Sequence, residues 1–281
     1  MPLTDLQQFC ADNDDALAEL VGLFSDYQPV SGGVMQPHIM RWLGQFENQH
    51  MSLALKVARS ILYFGSHSID NQLRALGLMI RRNIQRERMR LSNVLYVPVG
   101  SVGESGLDIA RRYRYVNGMQ RRRDQFVHSV ELPQKLFETD EKMVVFLDDF
   151  IGTGNQICNF WHQVASQIVP EYIPICLGVV AGYHDGIKRV EEECPFTVFV
   201  VHELGRRHRL LDARNEMFTD EEREIFRNYC EQWGNTPFGF GDVGALVSFF
   251  HGTPNNTPSL IRGSKKQRPR RGLLPGWSDL A

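Results

Sequence analysis

The sequence predicts an α/β fold: a parallel sheet with flanking helices, preceded by an α-helical N-terminal region. Three observations carry this. Four short apolar runs rich in β-branched residues follow Arg90: "NVLYVPVG" (93–100), "MVVFLDD" (143–149), "IPICLGVVAG" (173–182) and "TVFVVHEL" (197–204). Helix-like segments, "QICNFWHQVASQIV" and "DGIKRVEEE", separate the last three. Continuous apolar strands alternating with helices imply a parallel sheet covered on both faces. Before Arg90, by contrast, apolar residues recur at three- and four-residue steps.

Taken in order, "DLQQFCADNDDALAELVGLF" places Leu6, Phe9, Leu17, Leu20, Val21 and Phe24 at mostly helical spacing. The Pro/Gly-rich "QPVSGGVMQP" breaks that pattern. "HIMRWLGQF", "MSLALKVARSILYFG" and "SIDNQLRALGLMIRRNIQRERMR" resume it, the last with Ser68 as N-cap. Three or four helices are therefore expected over residues 1–90, then an α/β domain over 91–260. Late in that domain "FTDEEREIFRNYCEQW" reads as an amphipathic helix capped by Thr219. A turn-rich stretch around "ALVSFF" follows it. Residues 261–281, "IRGSKKQRPRRGLLPGWSDLA", read as a basic tail that is flexible or partner-bound.

Bulk properties narrow the function classes. With 281 residues, 42% hydrophobic and 23% charged, the chain suits a soluble globular protein with a sizeable core. A net charge of −2 gives no global pull toward nucleic acid or membranes. No apolar run approaches the roughly 18 residues of a membrane span, and the acidic start lacks the pattern of a signal peptide. Cys10, Cys158, Cys176, Cys194 and Cys230 are odd in number and lack CxxC spacing, which favours buried free thiols in a cytoplasmic protein. His128, His162, His184, His202, His208 and His251 show no metal-ligand spacing, so no zinc is expected.

The informative stretch is "MVVFLDDFIGTGNQ" (143–156). The backbone N–H groups of Gly152, Thr153, Gly154, Asn155 and Gln156 would lie at a helix N-terminus, a ready site for a phosphate. Glycines permit close backbone approach, and the Thr153 hydroxyl can donate as well. Asp148 and Asp149 would repel a phosphate but accept hydrogen bonds from sugar hydroxyls, with a magnesium ion nearby. An isolated Asp pair before a helix also reads as a simple turn; the complete string in its context points to a ribose-phosphate site.

"VVFLDDFIGTGNQ" resembles the PRPP-binding signature of type I phosphoribosyltransferases. The resemblance implies that Asp148 and Asp149 contact the ribose diol as catalytic residues, that Gly152 to Gln156 cradle the 5′-phosphate, and that Mg²⁺ binds at Asp148 or Asp149. It also implies that PRPP or a related nucleotide is the substrate. In "NVLYVPVGSVGESGLDIARRYR", the loop Val102, Gly103, Glu104, Ser105 and Gly106 stands where the family binds pyrophosphate. Arg111, Arg112 and Arg114 could add charge there. Lys135 stands near the family's flexible loop. One departure matters: purine-salvage members carry an acidic base where this chain has Gly152.

The arginine-rich "RRYRYVNGMQRRRDQF" fits a pyrophosphate clamp, a nucleic-acid face with Tyr113 and Tyr115 for stacking, or a solvated helix surface. "RWLGQF", "FLDDFIGTGNQ" and "SFFHGTPNNTPSLI" are similar to phosphoribosyltransferase-like proteins of bacterial conflict systems, some encoded beside retron reverse transcriptases. That likeness implies an effector or accessory role in antiphage defence. It also implies a reverse transcriptase or nucleic-acid complex as partner through the basic segments. Phe249, His251, Asn255 and Asn256 could line the base side of the pocket, and "HGTPNNTP" equally reads as a simple turn. A homo-oligomer is a further expectation. The competing reading is a non-catalytic nucleotide-sensing or nucleic-acid-binding module on the same fold. A dinucleotide-binding oxidoreductase fits poorly, because no GxGxxG follows the first strand.

Overall fold

A computed structural model describes residues 4–30, 35–100, 105–137, 142–233, 236–263 and 272–276. Its first elements are α1 (Asp5–Asp12), α2 (Asp14–Leu23), α3 (Met35–Leu43), α4 (Met51–Ser60), β1 (Leu62–Phe64) and α5 (Ser66–Arg86). Next come β2 (Val94–Pro98), α6 (Ser105–Val116), α7 (Leu132–Phe137), β3 (Met143–Ile151) and α8 (Asn155–Gln163). Last are β4 (Ile175–Tyr183), α9 (His184–Glu193), β5 (Thr197–Leu204), α10 (Asp220–Trp233), β6 (Val247–Phe249) and α11 (Ser259–Arg262). The chain forms two compact units, one of residues 67–205 and one joining residues 1–66 to 206–281.

The unit of residues 67–205 holds a four-stranded parallel sheet in the order β2-β3-β4-β5. On one face Val144, Phe146, Leu177 and Val179 pack with Ile157 and Phe160 of α8 and Ile187 and Val190 of α9. The other face receives α5 and α6. A Cβ on Gly178 would stand 3.0 Å from the Ile80 side chain, Asn83 donates to Cys176 Sγ at 3.3 Å, and Tyr113 of α6 lies 5.4 Å from Tyr96. Burial on both sides is why β2, β3 and β4 read as unbroken apolar runs. The α/β class, its parallel sheet and the helical N-terminal region all stand as the sequence predicts.

Residues 1–66 and 206–281 surround a second core, in which Leu20, Phe24, Trp42, Leu43, Phe226 and Trp233 are buried. Here the structure corrects three expectations. Among the described residues five α-helices precede β2, and "MSLALKVARSILYFG" is not one helix: α4 stops at Ser60, and Leu62–Phe64 forms β1. That strand pairs in parallel with β6, from Leu62↔Val247 to Phe64↔Phe249, and the Phe64 and Phe249 rings stack at 5.1 Å. Aromatic and aliphatic side chains at Leu62–Phe64 suit a pleated, paired strand better than another helical turn. The expected cap also shifts: α5 opens at Ser66, whose N–H donates to Asp26 Oδ2 at 2.6 Å, so Ser68 lies inside the helix. Thr219 does cap α10, in a reciprocal box with Glu222 at 3.2 and 2.8 Å.

Within the basic tail, residues 272–276 are held in this second core; 264–271 and 277–281 lie outside the described residues. Leu273 and Leu274 are fully buried. His38 Nε2 bonds the Leu273 carbonyl at 2.8 Å, Leu274 N–H donates to Ile261 O at 2.8 Å, and Tyr27 OH donates to Pro275 O at 2.6 Å. All five cysteines are buried free thiols. No helix among the described residues is long and apolar enough to cross a membrane.

Candidate functional site

β3 runs to Ile151, four residues past the apolar Met143–Leu147, so both aspartates belong to the strand. Its pairing with β2 ends at Pro98↔Leu147, while pairing with β4 continues through Asp148↔Val179 and Ile151↔Gly182. The acidic pair therefore emerges just past the end of β2, on the C-terminal edge of the sheet, where open parallel sheets bind ligands. The two carboxylates are unequal. Asp148 is only 1% exposed and its Oδ1 accepts the Asp149 N–H at 3.0 Å, whereas Asp149 is half-buried.

Ser105, the first residue of α6, joins the pair from the neighbouring connection. Its hydroxyl donates to Asp149 Oδ1 at 2.9 Å and lies 3.5 Å from Asp148 Oδ1. Gly106 makes this approach possible: a Cβ there would fall 2.2 Å from the Val99 carbonyl oxygen. The resemblance implies a pyrophosphate loop that includes both residues; Val102, Gly103 and Glu104 of that loop lie outside the described residues.

After Ile151 the chain turns through Gly152, Thr153 and Gly154 into α8. Gly154 is the N-cap in the left-handed region, at φ 81°, which favours glycine. Thr153 Oγ1 accepts the Asn155 N–H at 3.4 Å, and Gln156 is exposed on the first turn. The first turn of α9 backs this loop. A Cβ on Gly186 would lie 2.3 Å from the Gly152 carbonyl oxygen, and one on Gly154 would lie 2.8 Å from the Gly186 oxygen. Arg189 donates to Asn155 Oδ1 and, at 2.8 Å, to Glu193. Gly186 and Arg189 escape a reading of the sequence centred on one motif. The clue is Gly186 in the first turn of α9, three residues past the end of β4, where a strand enters a helix without a loop.

The structure brings Asp148, Asp149, Ser105 and the 152–156 loop to one edge of one sheet. The three arginines of α6 have other surroundings. Arg112 is paired with Asp70 of α5 at 2.9 Å, Arg114 lies over the Tyr115 and Phe126 rings at 5.4 and 5.7 Å, and Arg111 is exposed. Lys135 stands half-buried on the short α7. Phe249, His251, Asn255 and Asn256 belong to the other compact unit. There the Phe249 and His251 rings stack at 5.6 Å, while Asn256 and the Asn255 carbonyl hold the backbone of Phe240.

The donor set suits a hard cation. Two carboxylates and a serine hydroxyl supply oxygen only, and magnesium is commonly held by one or two carboxylates together with substrate phosphates. Asp149 and Asp148 could hold it in that manner. No group of three or more His, Cys, Asp or Glu among the described residues is arranged to hold a metal ion.

An acidic pair and a glycine-rich helix start on the C-terminal edge of a doubly covered parallel sheet define a phosphoribosyltransferase-type α/β domain. Residues 39–280 match the PRTase-CE family model, and the chain belongs to that family. None of the curated proteins matches its sequence.

Proposed function

We propose that the protein binds PRPP, or a nucleotide with the same ribose 5-phosphate, together with Mg²⁺, and acts at ribose C1 by transfer or cleavage. The supporting observation is the union of Asp149, steadied by Ser105, with a loop whose amides open α8. In this reading the amides of residues 152–156 hold the 5′-phosphate. Asp149 accepts from the ribose hydroxyls, and Asp148 fixes the Asp149 backbone from beneath. Both carboxylates place negative charge where an oxocarbenium-like centre develops. Pyrophosphate would leave toward the connection that ends at Ser105 and Gly106. Bound magnesium would offset charge on the leaving group.

The test is pyrophosphate release from PRPP with Mg²⁺, alone and with candidate nucleobases. Wild type should release it, and Asp148→Asn/Asp149→Asn should not while keeping its unfolding temperature. A folded double variant with full activity would sink the proposal. A second reading, a nucleotide sensor without turnover, is favoured by Gly152, which stands where purine-salvage enzymes carry a base catalyst. Tight ligand binding without product would establish it.

The biological role we propose is that of an effector or accessory protein in bacterial antiphage defence. It rests on the likeness of the three quoted segments to conflict-system proteins. Plaque assays on hosts carrying the gene with its neighbours should show protection, and loss of protection with the double variant.

A further inference from the structure

We propose that the N-terminal edge of the β2–β5 sheet, at the opposite end from the acidic pair, is a docking surface for single-stranded nucleic acid. Two arginine-rich segments that are separate in sequence meet there. Residues 81–93 carry five arginines against one glutamate, and residues 117–125 carry three against one aspartate, in a chain whose net charge is −2. The first segment is the end of α5 and its connection to β2; the second is the turn after α6.

Hydrogen bonds lock the two together. Arg81 of α5 donates to Asn117 O at 2.7 Å. Buried Gln125 grips Leu91 O at 2.6 Å and Val94 O at 2.8 Å, so the 121–125 turn is pinned to the start of β2. Stacking of Phe126 on Tyr96 at 4.8 Å secures the same join. Arg82, Arg86, Arg88, Arg90, Arg121 and Arg123 are left exposed on this frame. The two carboxylates among these eight arginines are Glu87 and Asp124, and Glu87 pairs with Arg86 at 3.7 Å.

The chemistry favours a nucleic-acid strand. Every cation here is an arginine, whose planar fork suits phosphate oxygens. Beside them Tyr115 is 47% exposed, with the Arg114 guanidinium 5.4 Å from its ring centroid. A basic track with an exposed aromatic platform is what single strands use, phosphates on the cations and a base on the ring. Tyr113, the other tyrosine expected to stack, is only 1% exposed and packs on Tyr96, so it takes no part. The surface is about 20 Å from the acidic pair, five or six residues along β3, so a strand can dock without entering the ribose-phosphate site.

The test is fluorescence anisotropy of the full chain with labelled oligothymidylate or oligouridylate between about 50 and about 200 mM salt. Wild type should bind with a steep salt dependence. Arg86→Ala/Arg88→Ala/Arg121→Ala/Arg123→Ala should weaken binding and flatten the logarithmic slope by about 0.7 for each phosphate no longer neutralised. Tyr115→Ala should weaken binding about fivefold or more with the slope unchanged. Circular dichroism melts check that both variants remain folded, which their exposed positions favour. Undetectable binding at low salt, or wild-type affinity and slope in the four-arginine variant, would overturn the proposal. So would preference for a polyglutamate competitor over the oligonucleotide, which would mark an acidic protein as the partner.

Discussion

At the scale of single residues, the two aspartates are alike in sequence and unlike in place. Asp149 is the half-open carboxylate under the Ser105 hydroxyl, and Asp148 is the buried one beneath it. Asp149→Asn should therefore weaken a ribose-phosphate ligand about tenfold to a hundredfold, the value of one charge-assisted hydrogen bond, and leave the melting temperature nearly unchanged. Asp148→Ala should cost about 1–3 kcal/mol of stability, because it strips a buried acceptor from the Asp149 amide. Denaturant titration separates the two effects. Gly186→Ala offers a test from outside the motif. Its Cβ would fall 2.3 Å from the Gly152 carbonyl oxygen, so the loop must shift. The change should destabilise the fold by about 1–3 kcal/mol and lower affinity for the phosphate end of the ligand. Asp148, Asp149 and the 152–156 loop were legible because their chemistry is contiguous in sequence. Gly186, Arg189 and the bond from Ser105 to Asp149 were not, because they depend on which elements touch.

At the scale of elements, β2, β3 and β4 were legible because burial on both faces writes an unbroken apolar run into each, and the half-buried β5 because its β-branched and aromatic residues suit a strand. Strand β1 was hidden. "SILYFG" continues the helical spacing of α4, and only pairing with Val247–Phe249, far along the chain, makes it a strand. Helix α10 was plain from both its period and its cap. Thr219→Ala should cost about 1 kcal/mol in denaturant unfolding, because the Glu222 N–H loses its acceptor. A cost near zero would mean that the reciprocal bond, from the backbone N–H of residue 219 to the Glu222 carboxylate, suffices to cap the helix.

At the scale of the whole molecule, the surprise is how the chain is shared between its units. The sequence suggests boundaries near residues 90 and 260, whereas the compact units change at 66/67 and 205/206, and one is discontinuous. Linear reading has no access to this, since the join depends on β1 meeting β6 and on residues 272–276 entering the core of the first segment. Removing Leu273 and Leu274, both fully buried, should destabilise that unit by about 3 kcal/mol or more. The buried thiols give the molecule a pH signature. Burial pushes Cys176 up to about 11 and Cys194 and Cys230 up to about 12, from an ordinary 9.0. The folded state thus keeps protons that the unfolded chain releases, so this stability is fully present below about pH 9 and is lost as pH rises toward 12. Melts across that range should show a steady fall, eased by replacing Cys230 with alanine. The central claim, that the C-terminal edge of the sheet holds a ribose-phosphate, is tested most directly by calorimetry with PRPP and Mg²⁺ on wild type and on Asp148→Asn/Asp149→Asn. The account predicts saturable binding to wild type that disappears in the folded double variant. Equal heats from both proteins, or none from wild type, would contradict it.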